Sequence, residues 1–120
     1  MTKYFFDTYA LVEINEENSS YESLIDSEMV INEFVFSEFC YYLERVGHKD
    51  KERLMNIFRR FVVRTDLRLI AKAMKFRNKW KKRKVSAVDC IGYFMAKDLG
   101  VKFLTGDKEF KGMKNVEFVR

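Results

Sequence analysis

Four carboxylates are spaced so that one cleft could collect them: Asp7, Glu38, Asp89 and Asp107. Asp7 ends the apolar run Tyr4-Phe5-Phe6, which reads as a strand. Asp107 follows a second apolar run, residues 101–104, by a short turn in the stretch FLTGDKEF. Glu38 and Asp89 fall early in two segments of helical pattern. In a parallel sheet the ends of the strands and the first turns of the following helices face the same edge. Two like charges about 4 Å apart repel by roughly 4 kcal/mol at an effective dielectric near 20. Such a cluster is held either by protonation or by a shared cation. Hard divalent ions such as Mg²⁺ and Mn²⁺ prefer oxygen ligands, so these carboxylates, once gathered, make a metal site.

Each acid also has an ordinary explanation. Asp7 can terminate a strand. Asp89 lies three residues after Ser86, as the acidic member of a capping box does. Asp107 sits in Thr-Gly-Asp, a turn composition. Glu38 can be a solvated helix residue, and Glu33 competes for its place.

The elements that must position these acids alternate. Strands are expected at residues 3–6, 28–31, 101–104 and 116–119. Helices are expected over 8–14, from Asn32 to about Gly47, from Asp50 to about Val62, over 67–80, and from Ser86 to Gly100. Asn32 and Ser86 are the N-caps. The third of these helices should bury Leu54, Ile57, Phe58, Phe61 and Val62. The fourth shows a helical pattern through Leu67, Ile70, Ala71, Met74 and, less regularly, Phe76, and the fifth a buried stripe of Val88, Ile91, Gly92, Met95 and Leu99. This alternation predicts an α/β fold with a mainly parallel sheet.

The chain has 120 residues, the size of one domain, and no linker or internal repeat divides it. No apolar run nears the ~20 residues that span a bilayer. The N-terminal stretch meets Asp7 too soon for a signal peptide. Cys40, Cys90 and the single His48 form no zinc-binding pattern. Reduced thiols and a cytoplasmic location are the expectation.

Charge divides the chain. Residues 1–60 carry 7 Lys/Arg against 12 Asp/Glu, a net of −5, and residues 61–120 carry 16 against 6, a net of +10. The stretch KFRNKWKKRK, residues 75–84, holds seven cations and no acid. Cations at a helix C-terminus are common in themselves. With Phe76 and Trp80 interleaved, they also suit a phosphate backbone and a stacked base.

The order of these features resembles the PIN domain family, nucleases that include the VapC-type toxins, over nearly the whole chain. Phe5-Phe6-Asp7-Thr8-Tyr9-Ala10-Leu11 resembles the family's strand followed by Asp-Thr-Ser-Ala-Leu. Val35-Phe36-Ser37-Glu38-Phe39 resembles the helix bearing its second acid. Val85-Ser86-Ala87-Val88-Asp89-Cys90-Ile91 and Phe103-Leu104-Thr105-Gly106-Asp107-Lys108-Glu109-Phe110 resemble its C-terminal motifs. Tyr9 departs from the family's usual Ser or Asn.

The resemblance implies a three-layer α/β/α sandwich and places the family's acidic quartet on Asp7, Glu38, Asp89 and Asp107. It puts Thr105 beside the site as an orienting hydroxyl. It implies Mg²⁺- or Mn²⁺-assisted hydrolysis of RNA, with Lys79, Trp80, Lys81, Lys82 and Arg83 contacting the strand. A cognate antitoxin and a homodimer are the implied protein partners. Two alternatives stand beside it: a receiver-like, Mg²⁺-binding phosphoacceptor domain and a non-catalytic RNA-binding module.

Overall fold

The structure, a computed structural model, describes residues 2–120. In chain order the regular elements are β1 (Lys3–Phe6), α1 (Thr8–Asn15), β2 (Glu28–Val30), α2 (Glu33–Arg45), α3 (Lys51–Phe58), α4 (Leu67–Lys79), α5 (Ala87–Leu99), β3 (Lys102–Thr105) and β4 (Val116–Phe118). Short 3₁₀ turns occupy Ser19–Leu24, Arg59–Phe61 and Lys108–Phe110. Every strand pairing is parallel, and the strand order is β2-β1-β3-β4.

Phe5, Phe6, Phe103 and Leu104, on the two central strands, are all at most 1% exposed. Successive strand residues face opposite ways, so burial of both members of each pair requires helices on both faces. α5 packs across β1 and β3 with α4 behind it, α1 packs across the same strands, and α2 joins α1 to α5. The α5 layer lies close because Gly92 meets the sheet. A Cβ there would stand 2.8 Å from the Phe5 ring and 3.0 Å from that of Phe103. The chain leaves β1 in one direction to reach β2 and returns on its other side to form β3. The crevice beyond the C-terminal ends of β1 and β3 is therefore the topological switch point, where open α/β sheets bind ligands.

Several helix faces differ from the sequence expectation. α3 fully buries only Leu54, and Phe61 is exposed. α4 fully buries only Ala73, while Leu67 is 80% exposed and Ala71 faces solvent. Both are outer helices, α3 covered chiefly by α2 and α4 by α5, so their apolar stripes are only half used. α5 errs the other way: every residue from Cys90 to Ala96 is buried, and Leu99 is not. It is sandwiched between α4 and the sheet, and a stripe is too narrow for that place. Cys40 is half-buried and Cys90 buried, both as free thiols. No helix of the described residues is long and apolar enough to cross a membrane.

Candidate active site

Asp7 leaves β1 still in the ladder, its N–H donating to the Leu104 carbonyl (3.1 Å). The β1–β3 register pairs Phe5 with Phe103 and Phe6 with Leu104. One step further it sets Asp7 beside Thr105, and the Thr105 hydroxyl donates to Asp7 Oδ2. Asp7 is also the N-cap of α1, with Oδ1 accepting from the Ala10 N–H (2.8 Å). Its carboxyl is 1% exposed. Burial, then the charge of Asp89, pushes it well above the ordinary carboxylate range.

Asp89 stands in the first turn of α5, behind the Ser86 cap whose Oγ accepts from the Asp89 N–H (3.0 Å). Burial pushes its carboxyl up to about 6; Asp107 and Glu38 add repulsion, while Ser86 offsets part of the shift. Asp107 caps the 3₁₀ turn after β3, its Oδ1 accepting from the Glu109 N–H (3.0 Å). The Asp107 N–H in turn donates to Thr105 Oγ1 (3.0 Å). These three acids thus each start a helix or helical turn, where the backbone dipole favours a negative charge.

Glu33 and Glu38, on the same helix, take different distant partners. Glu33 accepts from the N–H (3.0 Å) and hydroxyl (2.6 Å) of Thr65, which fastens the start of α2 to the loop before α4. These bonds hold its carboxyl below the usual range against the opposing effect of partial burial. Glu38, on the next turn, accepts from the Thr8 hydroxyl.

Asp7, Glu38, Asp89 and Asp107 line one cleft of about 360 Å³, with Thr8, Tyr9, Ser86, Gly106 and Arg120 completing its wall. As placed, no three His, Cys, Asp or Glu side chains among the described residues converge into an ion-holding group. The expected meeting of four carboxylates is thus only a shared cleft. The reason is visible in the bonds above: Asp7 turns to Ala10 and Thr105, Glu38 to Thr8, and Asp107 to Glu109. The donor set is all oxygen and each of these oxygens keeps a spare lone pair. That suits a hydrated Mg²⁺ or Mn²⁺, which takes one or two carboxylates and retains waters, better than a closed protein cage.

Arg120 was not legible as part of this wall, and Tyr9 only as a departure within the motif around Asp7. Arg120 is a lone cation after β4, brought to the cleft by the bond of the Val119 N–H to the Thr105 carbonyl (2.9 Å) and by its own Nη1–H bond to the Gly106 carbonyl (3.3 Å). Tyr9 lies on Gly106 so closely that a Cβ there would stand 2.1 Å from Tyr9 Cε1. Gly106→Ala is expected to cost about 1–3 kcal/mol through overpacking. The cost should shrink when Tyr9→Ala is present, as contacting residues couple. Urea unfolding of the two single variants and the double variant measures this; equal costs in both backgrounds would refute the contact.

The basic stretch ends α4 and forms the loop into α5. Arg83 Nη1–H donates to the Glu109 carbonyl (2.6 Å) and the Lys84 N–H to Glu109 Oε1 (2.8 Å). This pins the loop two residues from Asp107. Lys79, Lys81, Lys82 and Arg83 are exposed. Arg77, Asn78, Lys81, Arg83 and Trp80 border a groove of about 330 Å³ that runs to Val85, the neighbour of Ser86 in the acidic cleft. Trp80 is half-buried, with its ring about 6 Å from those of Phe76, Tyr93 and Phe94. Much of its aromatic surface therefore serves the fold, and it is less open to a base than the sequence suggests. His48 lies in the α2–α3 loop, where its Nδ1 accepts from the Asp50 N–H (3.0 Å).

The sequence profile of the PIN domain matches residues 4–116. No curated protein sequence matches the chain. Among solved structures, VapC20 of Mycobacterium tuberculosis, a Sarcin-Ricin loop cleaving toxin, superposes with a TM-score of 0.77 at 15% identity, covering 98% of this chain and 99% of its own. A toxin–antitoxin complex from Klebsiella pneumoniae gives 0.77 at 15% identity, covering 94% of each chain. VapBC2 from Rickettsia felis, bound to a DNA fragment from its promoter, gives 0.70 at 16%, covering 99% of this chain and 100% of that one. At these identities the likeness is one of fold.

Proposed function

Because the chain belongs to the PIN domain family, we propose that it is a Mg²⁺- or Mn²⁺-dependent endoribonuclease and the toxin of a toxin–antitoxin pair. The observation that carries this reading is the single cleft at the β1–β3 switch point onto which Asp7, Glu38, Asp89 and Asp107 all open. These four residues would hold the ion. Bound there, Mg²⁺ or Mn²⁺ supplies neutralisation of phosphate charge and acidification of a water.

The chain's own contribution is positioning. The Thr105 hydroxyl accepts from the Asp107 N–H and so has its proton directed at Asp7, which fixes the orientation of the buried carboxylate. The Thr8 hydroxyl does the same for Glu38. Lys79, Lys81, Lys82 and Arg83 hold RNA phosphates beside the cleft, and Trp80 borders their groove. A cognate antitoxin is the proposed protein partner, since two of the structural neighbours are toxin–antitoxin assemblies.

The test compares neighbouring glutamates on one helix. In Mg²⁺, Glu38→Gln should abolish cleavage of a structured RNA. Glu33→Gln should retain it, losing about 1 kcal/mol of stability as Thr65 exchanges a charged acceptor for a neutral one. Full cleavage by Glu38→Gln, or cleavage by the unaltered chain that survives chelator, refutes the reading.

A further inference from the structure

We propose that Arg120 is a substrate-binding residue of the acidic cleft, its guanidinium taking a phosphate oxygen of the RNA strand next to the four carboxylates. The proposal rests on the ribonuclease reading above and adds to it a residue on the wall of the cleft itself, apart from the basic loop.

A cleft lined by Asp7, Glu38, Asp89 and Asp107 repels a polyanion, so a cation inside its wall has an electrostatic task. Arg120 is the one Lys or Arg that lines it. An arginine beside four acids would ordinarily pair with one of them. Among the described residues the ion pairs within 4 Å are Lys51–Glu44, Arg53–Asp50 and Arg68–Asp66, and Arg120 is in none. What holds it off the acids is backbone. Its Nη1–H donates to the carbonyl of Gly106, the residue before Asp107 (3.3 Å). The chain leading to it is fixed on two sides. The Val119 N–H donates to the Thr105 carbonyl (2.9 Å), and the hydroxyl of the buried Tyr21 donates to the Val119 carbonyl (2.5 Å). A guanidinium has five N–H donors in a planar fork that matches phosphate oxygens. Held by one bond to Gly106, it keeps most of them for a ligand in the cleft.

The experiment measures RNA and metal binding separately. In an Asp89→Asn background, chosen because it is expected not to cleave, fluorescence anisotropy gives the affinity for a single-stranded RNA in Mg²⁺ over a range of salt. Calorimetry gives Mn²⁺ affinity in the otherwise unaltered chain without RNA. Arg120→Ala is expected to weaken RNA binding by about tenfold or more, as lost charged hydrogen bonds do. It should also flatten the slope of log affinity against log salt by about 0.7. Mn²⁺ affinity should stay or rise, because a positive neighbour has been removed, and the melting temperature should stay. Arg120→Lys restores the charge without the fork and should recover only part of the RNA affinity. RNA affinity and salt slope unchanged by Arg120→Ala overturn the proposal. So does a parallel fall of RNA affinity, Mn²⁺ affinity and melting temperature, which marks a structural role. Absence of RNA binding in the Asp89→Asn parent and in the unaltered chain sinks the ribonuclease reading and this inference with it. Binding by the parent that Arg120→Ala leaves unchanged sinks this inference alone.

Discussion

Asp89→Asn is expected to melt higher than the unaltered chain in chelator at pH 7.5, and to cleave no RNA in Mg²⁺. The two results have one cause. Asp89 is partly buried and faces Asp107 and Glu38, and its folded-state carboxyl titrates near pH 6 against an ordinary value of 3.8. A carboxyl raised on folding contributes stability that is complete below its unfolded value and lost as pH rises through its folded value. The metal-free chain should therefore lose stability between about pH 4 and pH 6 and stay low above that window. Asn removes the charge and much of this loss. Against the gain stands the weakened interaction with the start of α5, worth up to about 1 kcal/mol.

The net expectation is a gain of roughly 1–2 kcal/mol at pH 7.5, or about 4–8 °C for a chain of this size. Mg²⁺ should reverse the order, stabilising the unaltered chain by mass action and the variant far less. Asp7→Asn should behave alike, since burial and Asp89 raise Asp7 in the same direction. Melting curves in chelator and in Mg²⁺ at pH 4.5 and 7.5, with RNA cleavage beside them, make the measurement. A lower melting temperature in chelator together with retained cleavage would mean that Asp89 only starts a helix.

The second large effect belongs to the basic loop. Replacing Lys79, Lys81, Lys82 and Arg83 together by Ala removes four cations that the reading places on phosphates. Single-stranded contacts contribute about 0.7 each to the salt slope, so the slope should flatten by about 3. Near 0.15 M salt that corresponds to an affinity loss on the order of a hundredfold. The loss should be nearly the same for RNAs of different sequence, because phosphate contacts carry no sequence information. Arg83 also bonds the Glu109 carbonyl, so a triple variant that keeps Arg83 separates binding from the anchoring of the loop. Unchanged affinity and slope in both variants would return these residues to an ordinary solvated helix end.

Residues that report on their immediate neighbours were legible in the sequence, and those that depend on distant ones were not. The four strands and the caps Asn32 and Ser86 follow from local pattern and chemistry, and the structure places them within a residue or so of expectation. The placing of Asp7, Asp89 and Asp107 on one cleft follows from strand order once the sheet is parallel. The Glu33–Glu38 ambiguity could not be resolved locally, because what separates them is Thr65, 32 residues from Glu33. The stripes of α3 and α4 are less covered than their periodicity suggests, because periodicity gives the direction of a face and not how many layers cover it. Trp80 shows the same limit: an aromatic among lysines looks free until the rings of Tyr93 and Phe94 arrive from α5.

The bond between Thr105 and Asp7 spans 98 positions of sequence, and that separation has a consequence for the birth of the protein. β1 leaves the ribosome long before β3, the strand that completes its other edge. At about 5–20 residues per second, synthesis takes about 5–20 s to travel from Asp7 to Thr105. Throughout that interval Asp7 has neither its ladder partner Leu104 nor its orienting hydroxyl, and Asp107 does not yet exist. Closing so long a loop comes late in folding, after the local helices. A nascent chain that has not yet exposed β3 therefore carries an unassembled site, and the full constellation forms only after Thr105 and Asp107 have emerged.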